Sequence, residues 1–181
     1  MSSAPPPALE TRQYPLGRFV PPTAIGEADR KQWIAAVAAL PAELRRATDG
    51  LTPGQWEAAY REGGWTLRQV VHHLADSHMM AFARFKLALT QSEPTINAYD
   101  QAAWADSADA QAAPEVSLRL LEALHERWAR LLRSFAPADW QRTFRHPERG
   151  LMTLEANLAL YAWHGRHHTA QIAALREARS W

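Results

Sequence analysis

Apolar residues recur three or four positions apart in four stretches of the chain, a spacing that gathers them on one face of an α-helix. The stretches cover about residues 27–48, 67–90, 114–135 and 153–178. No alternation of strand and helix patterns lies between them. The pattern therefore predicts an all-α protein, a four-helix bundle whose helices are joined by long linkers.

The predicted helix starts carry capping residues. Thr66 and Gln69 can exchange hydrogen bonds across the first turn of the second helix as a capping box. Pro114 suits the first turn of the third helix, and Thr153 is a candidate N-cap for the fourth. Pro41 lies inside the first pattern, where proline loses a hydrogen bond and clashes with the preceding turn. We therefore expect a kink or a new helix start at Pro41.

The apolar faces of the second and third helices are expected to point at the bundle core. On the second helix the face comprises Leu67, Val71, Leu74, His78, Phe82, Phe85 and Leu89. On the third helix it comprises Val116, Leu120, Leu124, Trp128, Leu131 and Phe135.

The linkers contain short elements of their own. In 49–65 the sequence "LTPGQW" offers Thr52 and Gln55 as another capping box, which predicts one short helical turn. The link 91–113 contains "NAYDQAAWAD", and the link 136–152 contains "FRHPERGLM", which indicates a small hairpin or extended piece.

Two segments precede the first helix. Residues 1–13 are rich in serine, alanine and proline, which predicts a flexible N-terminal tail. Residues 14–26 hold three prolines and several large apolar side chains, and we expect them to form an ordered strap on the body. Because 181 residues suit one domain, 14–181 is predicted to be a single bundle domain.

Composition excludes several classes of protein. The 20 Lys and Arg residues balance 19 Asp and Glu residues, so the one-sided positive field of nucleic-acid binders is missing. The absence of cysteine excludes disulfides, a cysteine nucleophile and thiolate metal ligands. No apolar run approaches the roughly 18 residues of a membrane helix, and the first residues do not resemble a signal peptide. We expect a cytoplasmic protein with a small-molecule substrate.

Three histidines lie within five residues in "WHGRHHTAQI" (163–172), inside the fourth predicted helix. His164 and His168 have i, i+4 spacing, which places their Cβ atoms about 5–6 Å apart on one face. Two imidazoles so placed can bind one divalent ion, and Gln171, one turn further on, can hydrogen-bond a ligand. A catalytic zinc site needs a third protein ligand and an open position.

The second helix can supply that third ligand from "VVHHLADSH" (70–78). His72 and His73 project about 100° apart on a helical wheel, so only one of them can easily join the site. His78, on the apolar face, is a further option. Spacing alone leaves the choice among these histidines open.

The stretches "YREGGWTLRQVVHHLADSHMMAFARFKLALT" and "YAWHGRHHTAQI" resemble the DinB-like, YfiT-type family. Its members are four-helix bundles described as metal-dependent hydrolases, and some of them act as bacillithiol S-transferases. The resemblance implies one divalent ion, zinc or nickel, held by His73, His164 and His168. It also implies a homodimer.

A three-histidine site with an open position lowers the pKa of a bound water to about 7, which suits hydrolysis. The same ion could hold a small external thiol as thiolate, so a thiol S-transferase is the alternative. A second alternative is a non-catalytic bundle that uses the ion only for stability.

Further residues are candidates for roles around the ion. Asp76 follows His73 by three positions and could serve as a base or orient a ligand. Arg84 could meet an anionic substrate or pair with a carboxylate. His167 is expected to line the pocket or to pack as a neutral ring. The residues predicted to line a substrate pocket are Tyr60, Arg61, Trp104, His167 and Gln171.

Overall fold

The computed structural model describes residues 12–181 and contains a bundle of four long helices, as predicted. They are α1 (Glu27–Thr48), α3 (Leu67–Thr90), α5 (Pro114–Arg133) and α6 (Leu154–Arg179). Helices α1 and α3 each pack against both α5 and α6, so α1 and α3 lie diagonally across the bundle. The side chains of all four helices therefore meet along one central axis.

Short elements occupy the linkers. Helix α2 (Pro53–Trp56) follows Thr52, and α4 (Gln101–Ala105) lies in the link before α5. The link before α6 contains an antiparallel hairpin of β1 (Thr143–His146) and β2 (Gly150–Thr153). The short helical turn and the small hairpin predicted from the sequence are both confirmed.

The predicted caps define the helix starts. Thr66 Oγ1 accepts the backbone N–H of Gln69 at 3.2 Å, and Gln69 Oε1 accepts the backbone N–H of Thr66 at 3.0 Å. Thr153 Oγ1 accepts the N–H of Ala156 at 3.2 Å at the start of α6. Each bond satisfies a backbone donor that has no partner within its own helix.

Helix α1 continues through Pro41, so the new helix start predicted there is wrong. Proline has no N–H, and the carbonyl of Val37, four residues earlier, therefore loses its usual helical donor. The Nδ1–H of His125 on α5 donates to that carbonyl at 2.6 Å instead. A side chain from a facing helix thus replaces the backbone bond that Pro41 removes.

The buried face of α5 differs from the predicted one. Val116 and Leu120 are 51% and 42% exposed. Two polar residues, Ser117 and His125, are buried on the true inner face. The buried residues of α5 are Ser117, Leu118, Leu121, Leu124, His125, Trp128, Ala129 and Leu132. Because both polar side chains have hydrogen-bond partners inside the bundle, they can be buried where the sequence pattern suggests solvent.

A polar layer separates two apolar clusters in the bundle core. One cluster, at the hairpin end, contains Phe85, Trp128 and Phe144, and the other contains Leu44, Leu74 and Leu121. Between the two, α3, α5 and α6 contribute buried polar side chains. They are His73, Ser77, His78, His125, His168 and Gln171.

Gly165 lets α6 approach this layer closely. A Cβ atom at Gly165 would lie 2.6 Å from Leu40 Cδ2 and 3.3 Å from His78 Cε1. We expect Gly165→Ala to lower the free energy of unfolding in urea by about 1–3 kcal/mol, the usual cost of overpacking. Gly54→Ala is the matched control, because among the described residues no atom beyond its chain neighbours and its own helix backbone lies within 4 Å of its Cβ position. Equal stability of the two variants would contradict this packing.

Residues 14–26 contact α6 through two aromatic rings, as expected of the predicted strap. The ring of Tyr14 lies 5.8 Å from that of His167, and the ring of Phe19 lies 5.7 Å from that of Trp163, measured between centroids. Most of the predicted flexible tail, residues 1–11, lies outside the described residues. Among residues 12–181, no helix has the length and apolarity required to cross a membrane.

Candidate metal centre

Three histidines converge in the polar layer. His73 comes from α3, and His164 and His168 come from successive turns of α6. One ring nitrogen of each lies within 4.8 Å of the other two. The Nε2 atoms of His73 and His164 are 3.2 Å apart. His73 and His168 are buried, whereas His164 is partly exposed.

His72 points away from this group, toward α5. Its Nε2–H donates to the carbonyl of Ala112 at 3.0 Å, and its Nδ1 accepts the hydroxyl proton of Ser117 at 2.7 Å. Both ring nitrogens are therefore already engaged. The geometry thus places His73, and not His72, with His164 and His168.

A chain of hydrogen bonds assigns the proton on His164. A carbonyl oxygen can only accept, so His125 donates its Nδ1–H to Val37 and keeps Nε2 as an acceptor. The Nδ1–H of His78 donates to that Nε2 at 3.0 Å. The Nδ1–H of His164 donates to His78 Nε2 at 3.1 Å. Nε2 of His164 is therefore unprotonated, and its lone pair points at His73 Nε2, 3.2 Å away. We call His125 and His78 the imidazole chain.

Gln171 orients His168 in a similar way. Its Oε1 can only accept, so the Nδ1–H of His168 donates to it at 2.8 Å and leaves His168 Nε2 unprotonated. The Gln171 amide donates to the carbonyl of Gln13 at 2.8 Å and to His167 Nε2 at 3.1 Å. The His167 ring stacks on Trp163, with centroids 4.4 Å apart. His167 thus lies beside the three-histidine group and outside it.

Burial keeps the three rings neutral. It lowers the pKa of His73 to about 4. Burial also lowers the pKa values of His164 and His168 well below the usual histidine range, and repulsion between neighbouring rings when both are protonated lowers them further. At pH 7 each ring can therefore offer a nitrogen lone pair.

The donor set fits a single divalent ion. Zinc–nitrogen bonds of about 2.0–2.1 Å in a tetrahedral site place neighbouring nitrogens roughly 3.3 Å apart. The 3.2 Å separation of the His73 and His164 Nε2 atoms is close to that value. Neutral imidazoles are suitable ligands for zinc, nickel, copper and iron. The three residues thus suit one divalent ion of this group.

A cavity of about 940 Å³ reaches His164. Its walls come from the strap, from α3 and α6, from the segment before α4 and from the hairpin. Tyr99 and Asp100, in the predicted "NAYDQAAW" linker, are among its lining residues. Its volume lies within the usual range for small-molecule sites. A small molecule could therefore approach the three-histidine group from this side.

The other predicted pocket residues occupy varied positions. Trp104 is 37% exposed and packs on Tyr99, with ring centroids 4.4 Å apart. Tyr60 is buried in the apolar cluster of Leu44 and Leu74, and Arg61 Nε donates to its hydroxyl at 3.2 Å. Trp104, Tyr60 and Arg61 are not among the residues that line the 940 Å³ cavity. Their part in substrate binding stays a prediction.

Asp76 is half-buried and lies outside the three-histidine group. Burial, with a smaller contribution from the charge of Asp109, raises the pKa of Asp76 to about 6. A carboxyl group with this pKa can exchange protons near neutral pH. Its role as a base stays a prediction.

Two positioning contacts are not evident from the sequence. His125 is a lone histidine in the pattern of the third helix, and its partner carbonyl lies in α1. Trp65 packs on His73 with ring centroids 4.6 Å apart. Its position just before the α3 capping box was the available signal. His78, considered as a metal ligand, instead hydrogen-bonds the far side of His164.

Known proteins are similar to this chain in sequence. A model of the DinB superfamily matches residues 36–172. A Bacillus mycoides (strain KBAB4) protein named "Putative metal-dependent hydrolase" is 49% identical over 96% of this chain and 100% of the relative. An Oceanobacillus iheyensis protein with the same designation is 45% identical, over 93% of this chain and 98% of the relative.

A solved structure is similar to this chain in both fold and sequence. YfiT from Bacillus subtilis, described as "a probable metal-dependent hydrolase with an unusual four-helix bundle topology", matches with a TM-score of 0.91 and 43% identity. The match covers 94% of this chain and 99% of YfiT. The family model, the full-length relatives and the shared bundle lead to one conclusion: this chain belongs to the DinB superfamily.

Proposed function

We propose that the protein is a metal-dependent hydrolase that holds one divalent ion, zinc or nickel, through His73, His164 and His168. The observation that carries the proposal is the convergence of three neutral imidazoles beside a cavity, with hydrogen bonds that leave Nε2 free on His164 and His168. The designations of the relatives support the reaction class.

The donor set favours catalysis over a purely structural ion. Structural zinc sites are closed by four protein ligands, whereas catalytic sites have three and keep a position open. Among the described residues, the group contains three histidines and no carboxylate. When bound in such a site, a divalent ion lowers the pKa of a coordinated water and polarises a substrate carbonyl.

The protein's own side chains would keep the ligands in position. The imidazole chain holds the proton of His164 on Nδ1, and Gln171 holds that of His168 on Nδ1. Trp65 covers one side of the His73 ring. Rings fixed in this way lose little conformational freedom on binding an ion, which favours a preformed site.

Hydrolysis can be tested by assaying small esters and amides with protein loaded with zinc or nickel. We expect turnover by the loaded wild type and none above background by protein treated with a chelator. Activity should return when the same metal is added back. Equal rates with and without metal would contradict the proposal.

Thiol transfer is the second candidate. The chain contains no cysteine, so a thiol would have to come from outside. A cavity of about 940 Å³ has room for a small thiol together with an electrophile. Assays that pair a small thiol with an electrophile belong in the same series. Metal-dependent thioether formation without ester or amide cleavage would favour the transferase.

A homodimer is part of the proposal, because two-fold dimers are the commonest oligomers. Val116 and Leu120 form an exposed apolar strip on α5 that could contribute to an interface. Light scattering at micromolar protein concentration should report twice the chain mass of 20.4 kDa. A monomer at that concentration would contradict the dimer.

A further inference from the structure

Arg84 is a buried cation with no acidic partner among the described residues. Its side chain belongs to α3 and is 6% exposed. Nη1 donates to the hydroxyl of Tyr161 at 3.2 Å, and buried Nε has no hydrogen-bond partner in the part of the chain that the structure describes. Within residues 12–181, no carboxylate forms an ion pair with it. A buried guanidinium is costly unless an anion compensates its charge.

The guanidinium borders the cavity that reaches the candidate metal centre. Arg84 and His164 both line it. Tyr161 contacts both residues. Its hydroxyl accepts a hydrogen bond from Arg84, and its ring centroid lies 5.6 Å from that of His164. Tyr161 precedes His164 by one helical turn on α6. An anion at Arg84 would therefore lie within the reach of a small molecule from the three histidines.

His146 adds a neutral donor to the same wall. Its Nδ1 accepts the backbone N–H of Glu148 at 3.2 Å, so the ring proton resides on Nε2. Burial lowers the pKa of His146, and the nearby charge of Arg84 lowers it further. His146 lines the cavity as well. An oxyanion beside Arg84 could thus accept an additional N–H without a second full positive charge.

The remaining charges favour a monoanion. Two acidic residues, Asp100 and Glu148, line the cavity together with Arg18 and Arg149. The charges of these four residues cancel, so Arg84 leaves one net positive charge, which a monoanion would neutralise and a dianion would exceed. The planar fork of a guanidinium also matches the two oxygens of a carboxylate. The charge balance therefore favours a carboxylate over a dianionic phosphate.

We propose that Arg84 binds a carboxylate of the substrate, with the Tyr161 hydroxyl and His146 Nε2–H as further donors. The substrate class is then a small carboxylic acid whose amide or ester bond extends toward His164. The proposed function contributes only the identity of the bond that is cleaved. Binding of the carboxylate is a separate property and can be measured without turnover.

The test compares three small ligands by calorimetry with metal-loaded protein and, to exclude heat from turnover, with chelator-treated protein. They are hippurate, its uncharged amide hippuramide, and phenyl phosphate. We expect hippurate to bind roughly tenfold or more tightly than hippuramide, as expected for a charge-assisted hydrogen bond. We also expect it to bind more tightly than phenyl phosphate. Equal binding of hippurate and hippuramide, no hippurate binding in the millimolar range, or preference for phenyl phosphate would overturn the proposal.

Variants of cavity residues test whether Arg84 is responsible for the preference for hippurate. Arg84→Met should abolish the preference for hippurate over hippuramide, whereas Arg84→Lys should keep part of it. Arg149→Met is the matched control, since it removes an equal charge from an exposed position on the same cavity. It should change the preference by less than about threefold, because exposed charges are screened. A preference that survives in Arg84→Met would overturn the assignment, for example if the carboxylate bound the metal directly.

Metal content and hydrolysis are measured in parallel. A hippurate preference that depends on Arg84 in a protein without hydrolytic activity would count against the proposed function and for the anion site. Hydrolysis without such a preference would count for the proposed function and against the anion site.

Discussion

Replacing His168 with alanine is expected to yield protein that no longer retains a stoichiometric metal ion after desalting. The variant removes one of three converging imidazoles, and two rings cannot replace the ion's hydration shell as effectively as three. The loss of affinity should exceed the tenfold to hundredfold that the loss of an outer hydrogen-bond partner costs. Metal content by mass spectrometry, with affinity from chelator competition, measures the effect.

His167→Ala is the matched control for this prediction. His167 neighbours His168, but its Nε2 accepts from Gln171 and its ring stacks on Trp163. The variant should keep close to one metal ion per chain. A His167→Ala protein without metal, beside a fully loaded His168→Ala protein, would show that the ligands are assigned wrongly.

Replacing His125 with leucine is expected to weaken metal binding by about tenfold to hundredfold, although His125 does not belong to the three-histidine group. Without His125, His78 is free to move its proton to Nε2 and to donate to Nδ1 of His164. His164 would then carry its proton on Nε2, the atom that faces His73. Chelator competition gives the affinity, and nitrogen NMR of the histidine rings reports which nitrogen of His164 is protonated.

His72→Leu separates this effect from a general loss of stability. His72 is also a buried histidine with both nitrogens hydrogen-bonded, but its partners are Ser117 and Ala112. It should lower the free energy of unfolding and leave the metal affinity within about threefold of wild type. Equal metal affinities of the His125→Leu and His72→Leu proteins would contradict a role for the imidazole chain.

Local signals in the sequence were sufficient to predict the four long helices. The capping box of Thr66 and Gln69 marked the start of α3, and Thr153 marked the start of α6. Spacing alone also identified His164 and His168 as a pair on one helical face. These features depend on residues a few positions apart, so periodicity and capping can reveal them.

Such local signals do not predict contacts between residues that are distant in sequence. The imidazole chain joins Val37, His125, His78 and His164 across α1, α5, α3 and α6. No local pattern relates Pro41, whose missing N–H frees the Val37 carbonyl, to a histidine on another helix. Likewise, the sequence pattern did not predict that the polar residues Ser117 and His125 belong to the buried face of α5, because their hydrogen-bond partners are distant in sequence.

Local spacing also could not decide between His72 and His73 as the metal ligand. Spacing left both open, and the family resemblance favoured His73. The structure separates them by their partners, since His72 bonds Ser117 and Ala112 while His73 faces His164. A difference of one position on a helix turns a side chain by about 100°, toward a different neighbouring helix.

Anomalous diffraction at the absorption edge of the bound metal, from crystals of the metal-loaded protein, tests the central claim most directly. We expect one peak per chain, about 2.0–2.1 Å from ring nitrogens of His73, His164 and His168. The side facing the 940 Å³ cavity should carry no fourth protein ligand. An ion bound instead by His72, His78 or His167, or closed off by a fourth protein side chain, would contradict the proposed hydrolytic centre.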